Sequence, residues 1–365
     1  MEDNNEELQQ CIYCLDWKRS SLFNREHVVS RMFGTYDNAY VLNCCEVCKD
    51  CNSFFSTKLE NMVSMDSYEG LLRTQYLQRK HHANGRQIGR TRLFLEGKNE
   101  LFNGLRLYVS ENPNNPQNIQ IEVAPAVGII KCASRDEYNY YTLSEIPVMN
   151  DELRDTIMNS KTPIIVFGYS EEEVKTVLSS KGYDLTKAKY EGDLDFSSVT
   201  SETSVLVQIK SKVDNVLFRL AAKNVMNYCC YKFGKEFVLD NRFDNIRSFA
   251  RYGNVKTSTM MCVNNGGIQG IPENVEKGHI IGTALTAVDT LYLCGFVSWF
   301  GAITYSFLIE KCPNIKTFPR MSFSICDNQN RIIKDYYNPV IVDWPNSRYI
   351  SSIIGDEVRF SPKKL

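Results

Sequence analysis

The segments Cys11-Ile-Tyr-Cys14, Asn24-Arg-Glu-His27 and Cys48-Lys-Asp-Cys51-Asn52, all within about 40 residues, decide how this chain is read. Two cysteines spaced by two residues fit a tight turn in which both thiolates face one ion, and two such pairs complete a tetrahedral zinc site. Disulfides are the competing use of the same residues. The chain begins Met1-Glu-Asp-Asn-Asn-Glu-Glu7, acidic where a secretory signal would be basic, and no apolar run follows. A cytoplasmic location with reduced thiols is therefore expected, and zinc with it. In a loop-rich segment this short the ion supplies much of the folding free energy. Spacing leaves the register open, because Cys45 and Cys48 also form a pair of this kind and Cys44 adjoins them.

Between the pairs, Asn24 to Gly34 is β-branched and reads as a strand closed by a glycine turn. Ser53 to Met65 reads as a helix, with Phe54, Leu59, Met62 and Val63 on its apolar side. Strand, turn, strand, helix is the predicted order. Glu26 and His27 place a carboxylate beside an imidazole in the first strand. As residues alone they leave other uses open for His27, as a core residue or as the fourth ligand of a Cys₃His site.

These residues together resemble the HNH endonuclease family, with its ββα-metal nuclease motif. Glu26-His27 matches the acidic residue and histidine of the first strand, Asn43 the middle asparagine, and Cys48-Lys-Asp-Cys51-Asn52 the closing Cys-x-x-Cys-Asn. The resemblance covers about residues 11 to 63. It implies His27 as general base, Asn43 as the residue fixing the loop that orients His27, and Glu26 and Asn52 as ligands of a catalytic Mg²⁺ or Mn²⁺. It also selects Cys11, Cys14, Cys48 and Cys51 as the structural zinc ligands. This chain departs from the family in having Phe55 where a lysine is frequent, with Lys58 one turn further on, and Glu26 where many relatives have aspartate.

The chemistry suits those residue types. Phosphodiester hydrolysis needs a base near neutral pKa, which histidine provides, and a hard cation to neutralise charge developing on the phosphate. Arg25 and Lys58 lie within the motif, and past it Arg73, Arg79, Lys80, Arg86, Arg90 and Arg92 occur with no acidic residue between Glu69 and Glu96. This run is a candidate phosphate-tracking surface or a solvated helix end. Lys and Arg total 42 against 43 Asp and Glu, a net charge of -1, so any nucleic-acid surface is local.

The 365 residues leave room for further domains. Strands are predicted near 105–109, 119–123, 128–131, 138–143, 163–168 and 204–210. Helices are predicted at Ser170 to Gly182, opened by a Ser170/Glu173 capping box, and at 214–233, stopped by Gly234. A shorter helix follows from Phe243, with Arg247 and Arg251 on adjacent turns. The uncharged stretch 290–309 is long enough to span a bilayer, but its glycines and β-branched residues read better as two buried strands joined through a turn. His279 reads as a satisfied structural histidine, and Asn264-Asn-Gly-Gly267 as a loop. The expected fold class is α+β: a zinc-stabilised ββα-metal HNH domain at 1–70, a basic connecting segment at 71–94, and a larger mixed α/β domain at 95–365. The expected function is a metal-dependent endonuclease on nucleic acid, DNA before RNA, in the manner of a bacterial defence or mobile-element effector. A homodimer and an activating ligand or partner protein are compatible with it, a membrane is not. The alternative is a zinc-stabilised binding module without cleavage.

Overall fold

The computed structural model describes residues 7–65, 67–77, 91–96, 104–111, 119–135, 137–185, 206–211, 213–254, 261–265, 278–287, 291–311, 313, 321–337, 348–354 and 357–362. Helices and several sheets are mixed, an α+β chain. It divides into two compact units, residues 1–79 with 213–365, and residues 80–212. Residues 213 onward thus rejoin the unit that contains the cysteine segment, where the sequence alone suggested boundaries near 70 and 95.

The cysteine segment begins with a short hairpin, β1 (Leu8–Gln10) and β2 (Trp17–Arg19). β3 (Glu26–His27) pairs antiparallel with β4 (Val41–Leu42), Glu26 opposite Leu42 and His27 opposite Val41. A helix then runs Lys49–Phe55, continues as a π-helical turn through Ser56–Glu60, and resumes at Asn61–Met65. The order strand, strand, helix agrees with the sequence reading. The strand is shorter than Asn24 to Gly34 implied, and the helix starts at Lys49 instead of Ser53, with Cys48 in the N-cap position. A further helix spans Tyr68–Leu77.

The unit 80–212 carries two antiparallel sheets. One has the order β11 (Leu206–Ser211), β5 (Thr91–Glu96), β6 (Arg106–Glu111), β7 (Ile119–Val123). The other has the order β10 (Ile164–Phe167), β8 (Ala126–Cys132), β9 (Glu137–Tyr141). Helix Glu171–Ser180 has the expected capping box between Ser170 and Glu173, and its Val174 and Leu178 pack with Val127, Ile129 and Ile146.

In the other unit, eight strands form an antiparallel sheet in the order β17 (Ile332–Tyr337), β16 (Met321–Asp327), β13 (His279–Ala287), β14 (Leu291–Trp299), β15 (Ile303–Lys311), β12 (Met261–Asn265), β18 (Arg348–Ile354), β19 (Glu357–Pro362). Asn264 and Asn265 end a strand and not a loop, while 266–267 lie outside the described residues. The uncharged stretch at 290–309 is the β14–β15 hairpin, as predicted. Phe300 and Gly301 have φ of 55° and 63°, and the Ala302 N–H donates to the Trp299 carbonyl at 3.1 Å, which closes the three-residue connection between Trp299 and its partner Ile303. No helix among the described residues is long and apolar enough to cross a membrane.

The long helix Asn215–Phe233 explains why its sequence is apolar almost all round. Asp214 caps it by accepting from the N–H groups of Val216 and Leu217, and it stops at Gly234, whose φ is 92°. On one side it packs on β13, β14 and β15; on the other it meets β4 and the π-helical turn of the cysteine segment. It approaches the sheet so closely at Gly295 that a Cβ there would overlap Val225. Shorter helices follow at Lys235–Leu239 and Asp244–Tyr252.

The loop between β3 and β4 is bound to the sheet at the end of β14 and at the edge strand β17. Phe33 stacks on Trp299 at 4.5 Å, the Asp37 N–H donates to the Arg331 carbonyl at 2.8 Å, and the Tyr40 hydroxyl donates to Asp335 at 2.6 Å. His279 is fully buried, as a structural histidine. Its Nε2 meets the Phe33 carbonyl at 2.6 Å, and its Nδ1 accepts from the Phe300 N–H at 3.1 Å. Burial pushes its pKa down to about 4, against the opposing hydrogen bond to Phe33.

Candidate metal centre and the His27 site

Cys11, Cys14, Cys48 and Cys51 bring their sulfurs within 4.8 Å of one another, a cluster able to hold a metal ion. Each pair sits where the backbone turns. The Leu15 N–H closes back on the Cys11 carbonyl at 3.0 Å with Leu15 at φ 63°, and Cys48 to Cys51 forms the entry to the helix at Lys49. A zinc–sulfur bond of about 2.3 Å places tetrahedral sulfurs about 3.8 Å apart. Cys14 and Cys48 are 3.8 Å apart, which fits that geometry. The N–H groups of Tyr13 and Cys48 point at Cys11 Sγ at 3.5 and 3.4 Å, and Lys18 Nζ lies 3.7 Å from Cys48 Sγ, so thiolate charge has donors around it. The register left open by spacing is resolved: Cys44 is exposed and Cys45 faces the Ser20 carbonyl, both outside the cluster. None of the described cysteines is in a disulfide.

Adjacent residues of a strand point to opposite faces, and Glu26 and His27 diverge accordingly. Glu26 is 5% exposed, turned inward to the long helix, where it forms an ion pair with Lys223 and accepts from Asn227 Nδ2 at 3.2 Å. Lys223 also donates to Glu60 Oε1 at 2.7 Å and to Ser30 Oγ at 3.3 Å. Ser30 Oγ in turn donates to Glu60 at 2.6 Å. Burial disfavours the lysine charge, but the attraction of Glu26 and Glu60 outweighs it and raises the pKa. For Glu60, burial is likewise outweighed by Lys223 and Ser30 and the pKa falls, whereas burial prevails at Glu26 and its pKa rises. The charged core of the network is thus Lys223 with Glu60, and Glu26 is the carboxylate of higher proton affinity.

His27 is half-buried and lies against a cavity of about 160 Å³ that Arg31, Thr35, Tyr36 and Tyr40 also line. Its pKa is lowered by burial first and then by the charges of Arg31, Lys223 and Arg25, with Glu60 acting the other way. A pKa below the ordinary value leaves the imidazole neutral at pH 7 and able to accept a proton. Its backbone carbonyl accepts from Asn227 Nδ2 at 3.1 Å. Arg25 and Lys58 are exposed, as is Arg31, which the sequence reading did not single out.

Asn52 donates through Nδ2 to Asn24 Oδ1 at 2.9 Å and to the Arg25 carbonyl at 3.0 Å, so it ties the helix to the start of β3 with its amide oxygen as the remaining acceptor. Asn43 is exposed, directly after β4, and its Oδ1 accepts from Cys44 Sγ at 3.2 Å. Arg73 is half-buried in helix Tyr68–Leu77, and the adjoining Glu69 is fully buried, accepting from the Tyr305 hydroxyl. Arg79 and Lys80 lie outside the described residues.

From sequence alone Tyr13, Glu60, Lys223, Asn227 and Arg247 had no role assigned to them at this site. Arg247 Nε donates to the carbonyl of Ile12, inside the first cysteine turn, at 2.8 Å, and the Tyr13 hydroxyl donates to Asn227 Oδ1 at 2.7 Å. The available signal was Lys223 and Asn227, four apart on one face of an otherwise apolar helix, since a buried charge requires a partner. Comparison with protein-family models, with curated proteins and with solved structures gives no match to this chain.

Proposed function

We propose that residues 11–63 are an HNH-type nuclease module stiffened by a Cys₄-bound zinc, in which His27 is the general base for phosphodiester hydrolysis. The observation that carries this reading is the half-buried imidazole of His27, held on a strand–strand–helix frame beside a cavity and near exposed Arg25 and Arg31, where burial and those charges lower its pKa. His27 takes the proton of a water molecule, and the water oxygen attacks phosphorus as the bridging oxygen leaves. Arg25, Arg31 and Lys58 meet the phosphates, with DNA the expected substrate ahead of RNA. Mg²⁺ or Mn²⁺, when bound, supplies charge neutralisation at the phosphate. Asn52 keeps an amide oxygen for such an ion, whereas Glu26 faces Lys223.

The commitment of Glu26 to Lys223 favours a second reading, a zinc-stabilised module that binds nucleic acid without cutting it. Incubating the zinc-loaded full chain with supercoiled plasmid and with a single-stranded RNA, in Mg²⁺ or Mn²⁺, separates the two. Nicked plasmid or shortened RNA supports the nuclease. Salt-sensitive binding without any cut product assigns the binding module. Cutting only after addition of infected-cell extract points to an activated defence effector.

A further inference from the structure

A divalent ion at Glu26 does not fit the groups that surround it. The carboxylate is buried, its Oε1 already meets Lys223 Nζ and Asn227 Nδ2, and the lysine is itself 1% exposed. An ammonium has three N–H donors, and Lys223 has three acceptors in Glu26, Glu60 and Ser30, so its capacity is filled. A doubly charged ion beside Glu26 would have to displace that ammonium or sit against it, and Mg²⁺ in addition gives up its waters reluctantly.

We propose that Lys223 is the resident cation of this site, occupying the place where an HNH-type module would hold a divalent ion at Glu26, and that Glu26 thereby positions His27 instead of ligating metal. The long helix then acts on His27 twice. Lys223 anchors the preceding residue, and Asn227 grips both the Glu26 carboxylate, at 3.2 Å, and the His27 carbonyl, at 3.1 Å. Lys223 is a positioning residue supplied by the C-terminal part of the chain, 163 residues from Glu60. The proposal concerns ion binding and stands or falls independently of whether the module cuts nucleic acid.

The test is Mn²⁺ titration of the zinc-loaded full chain, with free Mn²⁺ followed by electron paramagnetic resonance. The expected result is that wild type and Glu26→Gln titrate identically. Lys223→Met, of similar length but uncharged, should expose the Glu26/Glu60 carboxylates and bind Mn²⁺ more tightly by roughly tenfold or more. The double variant Glu26→Gln/Lys223→Met should lose that gain. A Mn²⁺ site in the wild type that Glu26→Gln abolishes would overturn the proposal, as would a Lys223→Met protein of full zinc content that gains no site. Should Lys223→Met fail to retain zinc, the comparison of wild type with Glu26→Gln decides alone.

Discussion

At the scale of single residues, the clearest expectations concern sulfur and imidazole. Cys44→Ser and Cys45→Ser should leave zinc content unchanged, while Cys48→Ser should lower it, since only Cys48 of the three lies within the cluster. Metal analysis of the purified variants checks this. His279 gives a pH dependence whose sign follows from burial. Its folded pKa of about 4 lies below the ordinary 6.5, so the unfolded chain binds the extra proton between those values. The stabilisation is therefore complete above pH 6.5 and declines as pH falls towards 4, by at most about 3 kcal/mol. Denaturant titrations across that range should show the decline, and His279→Gln should flatten that part of it. Residue spacing made the cysteine pairs and Glu26-His27 legible, because both are local patterns. The partner of Glu26 was not, because Lys223 lies in another part of the chain and its charge reads from sequence as an interruption of an apolar helix.

At the scale of elements, periodicity succeeded where an element's own residues determine it. The capping box at Ser170, the helix ending at Gly234 and the glycine hairpin at Gly301 all follow from local backbone chemistry. It failed where packing decides, as in the π-helical turn at Ser56–Glu60 that brings Glu60 to Lys223, and in the two-residue strand β3. Gly295 tests the closest of these packings. Gly295→Ala inserts a Cβ into Val225 of the long helix, and we expect a loss of about 1–3 kcal/mol in chemical denaturation, with zinc content retained. An unchanged midpoint would mean that the helix does not press on β14 as described.

At the scale of the molecule, the cysteine segment is part of the same compact unit as the eight-stranded sheet, with the long helix between them. Arg247 on Ile12, Tyr13 on Asn227, Lys223 on Glu60 and Phe33 on Trp299 are among the contacts that join the segment to the rest of that unit. Removing zinc should therefore do more than free four thiols. On heating with a chromophoric chelator, zinc release should coincide with loss of helical circular dichroism in one transition at lower temperature than without chelator. Release well before any helical change would show an autonomous finger. His27 as the proposed general base is the feature on which cleavage depends. Its most direct test is cleavage of supercoiled plasmid by wild type and His27→Ala preparations matched for zinc content. Wild type should nick the plasmid, and the rate should fall at least about a hundredfold in the variant. Equal cutting by both proteins would contradict that role.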